Sequence, residues 1–280
     1  MAKILVVGAR GNVGSKLVPM LLEKKEKVKG ATSDKKITAA SGAETVYLDL
    51  GNPATYPEAL DGVDRLYMMS PTGRLDLVDS LKAFISAAAS RRIKIVFHTA
   101  MGVDSDDSIP LRQVEIQLEK SGTRFVILRP NWFMDNFHNY WRDSIKRDGL
   151  ISVPAADSRT SFIDTLDIAA SAAAVLRTDD FDGRAFSLTG PRALTYGEAA
   201  VIISRVTGKV VHYNPVSGEE LVQTMVKAGV AEEYAKFLAG IFVPVVMGYS
   251  AAVTDSVKEI TGKNPRTMEE YTAEHAALWL

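Results

Sequence analysis

The sequence predicts an α/β fold, a doubly wound parallel sheet with a smaller mixed α/β lobe at its C-terminal side. Three observations carry that prediction. First, four β-preferring apolar residues, Ile4 to Val7, run straight into Gly8, Gly11 and Gly14, and an amphipathic stretch over 15–25 follows at once. That order reads strand, tight turn, helix. Second, short apolar runs alternate with segments of helical period over the first 130 residues, with brief connections. Such alternation requires right-handed crossovers and a parallel sheet covered on both faces. Third, beyond about residue 150 the pattern breaks into shorter pieces that cannot supply a second set of such units.

The three glycines have separable tasks. One permits a sharp turn, one lets backbone approach a pyrophosphate, and one lets the helix pack against the strand. The helix N-terminus then offers free N–H groups and the positive end of its dipole to an anion. The opening segment therefore predicts a Rossmann-type dinucleotide site built on Gly8, Arg10, Gly11, Asn12 and Val13. The second strand, 28–32, closes on Thr32 and Ser33, where an acid usually binds the ribose of NAD. Neutral hydroxyls there, with Lys35 and Lys36 just beyond and Arg10 in the loop, suit a 2′-phosphate and favour NADP (NADPH) over NAD. Asp34 lies close to the usual acidic position, but beyond the strand end it suits a helix cap better. Lys35 and Lys36 read equally as a solvated surface pair.

The third strand, 44–50, puts Asp49 where it accepts a hydrogen bond from adenine, or where it caps the turn before Asn52-Pro53. The fourth strand, 65–69, ends in Ser70-Pro71-Thr72-Gly73, and a long helix spans 75–90. The fifth, 93–99, ends in Ala100-Met101-Gly102; a helix near 110–120 leads to a sixth strand at 124–128. Ligands of such sheets bind beyond the C-terminal strand ends. This adds Asp49, Leu50, Met69, Ser70, Thr99 and Ala100 to the expected cofactor residues, and Met101 and 130–133 to the same edge.

Residues 131–141 then bring Asn131, Trp132, Phe133, Asn136, Phe137, Tyr140 and Trp141 close together. Such a cluster is commonly core. Its attachment to a strand end that faces the cofactor makes it also a flat, weakly polar pocket for planar unsaturated substrates. Strand-like pieces at 151–153, 160–163, 186–188 and 210–213 follow, with helices at 166–177, 196–206 and 218–228. A mostly apolar helix over 231–250 contains Pro244 and reads as lid, core or oligomer contact. Gly149 and Pro154 mark a soft boundary between an NAD(P)-binding domain, 1–150, and a smaller substrate lobe, 151–280, with the chain free to cross back.

Composition narrows the function. At 280 residues and 46% hydrophobic, the chain buries a full core. Its 33 basic and 34 acidic side chains leave no footprint for nucleic acid or an anionic membrane. The apolar stretch 238–253 is too short and Gly-interrupted to span a bilayer. The chain opens directly on a strand, without a charged leader or cleavage site, so a cytoplasmic protein is expected. There are no cysteines, which removes disulfides, thiolate metal sites and cysteine nucleophiles. Four scattered histidines without metal-ligand spacing predict no metal site.

These motifs together resemble the NmrA-like group of atypical short-chain dehydrogenases/reductases. The resemblance rests on Gly8-Ala9-Arg10-Gly11-Asn12-Val13-Gly14, Tyr47-Leu48-Asp49-Leu50, His98-Thr99-Ala100-Met101-Gly102, residues 127–137, and Ala185-Phe186-Ser187-Leu188-Thr189-Gly190-Pro191. The branch most similar in these motifs holds triphenylmethane reductase, NmrA-type quinone reductases and NADPH azoreductases. The resemblance covers about two thirds of the chain and implies an NAD(P)H-binding domain with a small substrate lobe. It also implies one of two outcomes, a reductase of quinones, azo compounds, imines or similar dyes, or a non-catalytic redox sensor that binds NADP(H).

One departure bears on catalysis. Ordinary short-chain reductases carry a Tyr-x-x-x-Lys dyad; counting back from Glu115 and Ser121-Gly122 puts Asp107 and Leu111 in those places. A sugar epimerase or alcohol dehydrogenase needs that acid–base pair, so both are disfavoured. The expected activity is hydride transfer from NADPH to a planar, electron-poor small molecule held by Met101, Asn131, Trp132, Phe133, Asn136 and Phe137. No residue is assigned as general acid, since water supplies the proton. A monomer or homodimer is expected.

Overall fold

The computed structural model describes residues 2–69 and 78–280. In chain order the first elements are β1 (Lys3–Val6), α1 (Gly14–Glu23), β2 (Lys27–Thr32), β3 (Glu44–Tyr47), α2 (Tyr56–Ala59), β4 (Arg65–Met69), α3 (Val78–Ala89), β5 (Lys94–His98), α4 (Pro110–Glu119) and β6 (Phe125–Pro130). There follow α5 (Asn136–Asn139), α6 (Arg142–Asp148), β7 (Leu150–Val153), α7 (Thr165–Arg177), β8 (Arg184–Leu188), α8 (Tyr196–Thr207) and β9 (His212–Pro215). The chain ends with α9 (Gly218–Lys227), α10 (Glu232–Gly240), α11 (Val243–Val246), α12 (Ser256–Thr261) and α13 (Met268–His275). Among the described residues no helix is long and apolar enough to cross a membrane.

The chain divides into two compact units. The first comprises 1–130, 165–188 and 256–263. Its described strands form one parallel seven-stranded sheet in the order β3-β2-β1-β4-β5-β6-β8. Strand order reverses between β1 and β4, the switch point at which ligands of doubly wound sheets bind. Because side chains alternate along a strand, Leu5, Leu66, Met68, Ile95, Phe97 and Ile127 face one way, into a core with Leu81, Phe84, Ile85, Val114 and Leu118 of α3 and α4. Ile4, Val6, Tyr67, Val96 and Leu128 are buried on the opposite face, where α1 packs on α7 and α7 on α12. Each such fully buried side chain stabilises the fold by about 1.5–3 kcal/mol. At the N-terminal edge of the sheet, Arg65 pairs with Asp179 (2.9 Å) and the buried Lys94 with Asp182, which ties the α7–β8 connection beneath the strands.

The second unit comprises 131–164, 189–255 and 264–280. It holds a two-stranded parallel sheet, β7 with β9, and a core rich in aromatic rings. Three sequence expectations change here. Residues 160–163 form isolated bridges, Thr160 with Leu194 and Ile163 with Phe133, in place of a strand. The expected single helix over 231–250 is two, because Pro244 has no N–H and its ring would clash with the carbonyl of Gly240 in a continuous helix. The units also do not divide at Gly149–Pro154: α7, β8 and α12 belong to the first unit, β8 as the seventh strand beside β6.

Candidate functional site

The β1–α1 turn closes on itself through the Gly11 amide, which donates to the Gly8 carbonyl at 2.9 Å. Gly8 takes a φ of +76°, open only to a residue without Cβ strain. A Cβ on Gly14 would lie 2.1 Å from the Gly8 oxygen, so the helix approaches the turn as closely as backbone allows. Ser15 donates to Gly11, and Lys16 and Leu17 to Val13, whereas the amides of Asn12, Val13 and Gly14 donate to no atom of the described residues. No side chain caps α1 and its first turn carries no acid. Three free N–H groups at the positive end of a helix dipole are an anion site. The sharp turn, the bare backbone and the unpaired donors fit the pyrophosphate of a dinucleotide. Arg10, Gly11 and Asn12 are exposed beside them, and the Arg10 guanidinium has no partner among the described residues.

At the end of β2, Thr32 turns inward: its hydroxyl accepts from the Asp34 amide at 3.1 Å and lies at the same distance from the Asp34 carbonyl. Asp34 is a cap, though of a turn in place of a helix, accepting from the Lys36 amide at 2.8 Å. Lys35 lies over the Tyr47 ring at 4.8 Å. Ser33 and the Lys36 ammonium are exposed, with no side-chain partner among the described residues. Of the two readings of Asp49, the turn cap is present, since its carboxylate accepts from Gly51 N at 2.9 Å. Leu50 is buried, and its carbonyl accepts from the Tyr56 hydroxyl at 2.6 Å. Met69 is half-buried with its sulfur against Gly8, while Ser70 lies outside the described residues.

At the end of β5, Thr99 donates its hydroxyl to Glu115 Oε1 at 2.7 Å. Glu115 is buried and receives both Nε and Nη2 of Arg129, at 3.0 and 2.8 Å, and Arg112 Nη1 at 3.0 Å. Arg129 reaches Asp104 as well, and Arg112 reaches Glu119 and Asp107. Those partners, Glu119 first, hold the Arg112 guanidinium above its ordinary range. Ala100 is exposed and Met101 half-buried at this edge. Sequence reading missed the buried pair Glu115–Arg129. Its signal was a carboxylate between Val114 and Leu118 on the inward face of α4, with an arginine ending an apolar strand. One layer down, the Tyr67 hydroxyl meets His98 Nδ1 at 2.6 Å. Burial lowers the imidazole to about 4 and raises the phenol.

In the second unit the residues expected at a substrate site separate into two groups. Asn131 is committed to structure: its amide donates to Ser161 Oγ (2.7 Å) and the Ser250 carbonyl (2.8 Å), and its oxygen accepts from Trp132 N (2.9 Å). Both of its N–H donors are thereby used within the second unit. Phe137 has no exposed surface, packed edge-on against Trp141 and Phe162 at 5.2 Å, so it is core and only shapes its neighbours. Trp132, Phe133 and Asn136 are half-buried, and the Asn136 side chain has no hydrogen bond among the described residues. The Trp132 ring lies 4.7 Å from that of Phe242. Among the described residues no cluster of histidine and acidic side chains is arranged to hold a metal.

Comparison with known proteins agrees with this architecture. The chain is 32% identical over 282 residues to the NAD(P)H azoreductase of Xenophilus azovorans, across 98% of this chain and 98% of that protein. An uncharacterized oxidoreductase of Bacillus subtilis, YesF, is 34% identical over 277 residues, 99% of this chain and 96% of its own. The triphenylmethane reductase of Citrobacter sp. superposes with a TM-score of 0.86 over 98% of this chain and 99% of its own, at 23% identity, and so shares the fold. The profile of the NmrA-like family matches residues 1–272. The chain belongs to the NmrA-like family.

Proposed function

We propose that this protein is an NADPH-preferring reductase that passes hydride to a planar, electron-poor acceptor such as a quinone, azo compound or imine. The observation that carries the reading is the β1–α1 turn, whose three amides and Arg10 guanidinium have no partner among the described residues, beside a β2 that closes on Thr32 and Ser33. Gly8, Gly11 and Gly14 would admit the pyrophosphate, and Arg10, Ser33 and Lys36 would hold the 2′-phosphate. Bound there, the nicotinamide cofactor supplies the hydride. Trp132, Phe133 and Asn136 would orient the acceptor, and orientation is what the protein contributes to such chemistry.

The acceptor class follows from what α4 lacks. Its sequence, PLRQVEIQLE, contains neither tyrosine nor lysine, and the Thr99 hydroxyl is spent on Glu115. Reducing a ketone needs a positioned acid at its oxygen. A quinone, azo or iminium acceptor gives a stabilised product and takes its proton from water. The same lack of an acid favours a second reading, a nucleotide sensor of the NmrA type that binds NADP(H) without turnover. One experiment separates them: incubate the protein with NADPH and a panel of quinones, azo dyes and cyclic imines, following the reduced-nicotinamide absorbance. Acceptor-dependent oxidation is expected. Tight NADPH binding without oxidation across the panel would establish the sensor.

A further inference from the structure

Tyr196, the first residue of α8, has no exposed surface and lies inside the aromatic core of the second unit. Its ring is 5.1 Å from Phe162, 5.7 Å from Trp141, 5.9 Å from Tyr213 and 6.3 Å from Phe242. Its hydroxyl has no hydrogen-bond partner among the described residues. The other buried tyrosines differ in this respect: Tyr56 donates to the Leu50 carbonyl, Tyr67 meets His98, and Tyr271 meets His138. A buried hydroxyl without a partner is rare because it forfeits its hydrogen bonds to water. Phenylalanine would fill the same space without that loss.

The helices on either side of Phe242, whose ring lies 6.3 Å from that of Tyr196, are weakly anchored. α9 contributes no buried residue, α10 only Ala235 and α11 only Val245. Between α10 and α11, Phe242 is buried and its ring touches both Trp132 and Tyr196. Its neighbours Val243, Val246, Met247 and Tyr249 are each half exposed or more. Helices with so few buried contacts open at low cost compared with the core.

We propose that the Tyr196 hydroxyl is the hydrogen-bond donor for the bound acceptor: the segment carrying Phe242 lifts, a flat ligand takes the place of that ring against Trp132, and its oxygen or nitrogen accepts from Tyr196. This rests on the reading above that the second unit holds planar acceptors. Burial pushes the phenol well above its ordinary range, so it stays protonated and donates. No proton changes hands. The ligand class is therefore an aromatic system with one acceptor atom in the ring plane, and plain hydrocarbons are disfavoured.

The test uses the full-length protein and Tyr196→Phe, a change that keeps the ring. Tryptophan-fluorescence titrations compare 9-fluorenone with fluorene, one tricyclic frame with and without a carbonyl. The wild type is expected to bind fluorenone about tenfold tighter, the scale of one hydrogen bond in a dry site. The variant is expected to bind the two equally and to melt no lower than wild type. A variant that keeps the preference, or a wild type without one, overturns the assignment, whereas a packing role alone would leave the ratio unmoved. In NADPH-linked assays the variant should raise the acceptor KM about tenfold and leave the NADPH KM unchanged. A wild type that oxidises no NADPH sinks the reductase reading instead, and the fluorenone-to-fluorene ratio still decides Tyr196.

Discussion

At the scale of single residues, charge and partner count separate the groups available to a ligand from those the fold has used. Arg10 and Lys36 are exposed cations with no partner among the described residues, while Asp34 is occupied by the Lys36 amide. If the two cations hold a 2′-phosphate, Arg10→Ala and Lys36→Ala should each raise the NADPH Kd about tenfold, roughly 1.4 kcal/mol. The NADH Kd should change about twofold or less, by calorimetric titration; equal losses for both cofactors would misplace the phosphate. His98 gives a prediction of another kind. Burial lowers its folded value to about 4 from the ordinary 6.5, so between those values the unfolded chain binds the extra proton. Stability is therefore whole above pH 6.5 and falls as pH drops toward 4, by about 3 kcal/mol at most, each unit being about 1.36 kcal/mol. Urea midpoints at pH 7 and pH 4.5 should lie closer together for His98→Asn than for wild type; an equal separation would show that the imidazole carries none of the dependence. At the same scale, Asn131 makes three hydrogen bonds within the second unit and Phe137 is fully buried among aromatic rings.

Among the elements, α4 shows how a buried ion pair can set a helix against a strand. Glu115 on α4 and Arg129 on β6 form a two-pronged pair, and Thr99 at the end of β5 completes it. Removing one partner strands a buried charge, which costs about 3–5 kcal/mol, whereas removing both can be nearly neutral. Arg129→Met should fall at the lower end, because Arg112 and Thr99 still face Glu115. Adding Glu115→Leu should restore much of the loss in urea denaturation, since Arg112 keeps Glu119 and Asp107. A double variant less stable than Arg129→Met would show that the pair is worth more than its desolvation. Most elements were legible before the structure: β4 spans residues 65–69 as the pattern indicates, and α8 begins at Tyr196. Its Thr195–Glu198 capping box fixes that start through local hydrogen bonds. The break between α10 and α11 was equally local, marked by Gly240 and Pro244, and was missed because hydropathy runs through it unbroken.

Taken as a whole molecule, the protein interleaves its two units along the chain, leaving the sheet after β6 and returning to it for α7, β8 and later α12. No composition shift marks those crossings. β8 reads as a short isolated strand until it is seen beside β6, with Leu128 opposite Phe186 and Arg129 opposite Ser187. The sequence by itself determined the parallel α/β fold, the tight glycine turn between β1 and α1, and the aromatic character of the second unit. Each follows from periodicity or from the backbone freedom of neighbouring residues, which are local properties. Only the tertiary structure decided which polar groups are spent and which are left over. Arg129 lies 14 residues from Glu115, and the Asn131 amide meets a carbonyl 119 residues away. Whether the Tyr196 hydroxyl finds any partner depends on the atoms that distant segments bring around it, and no short stretch of sequence contains that information.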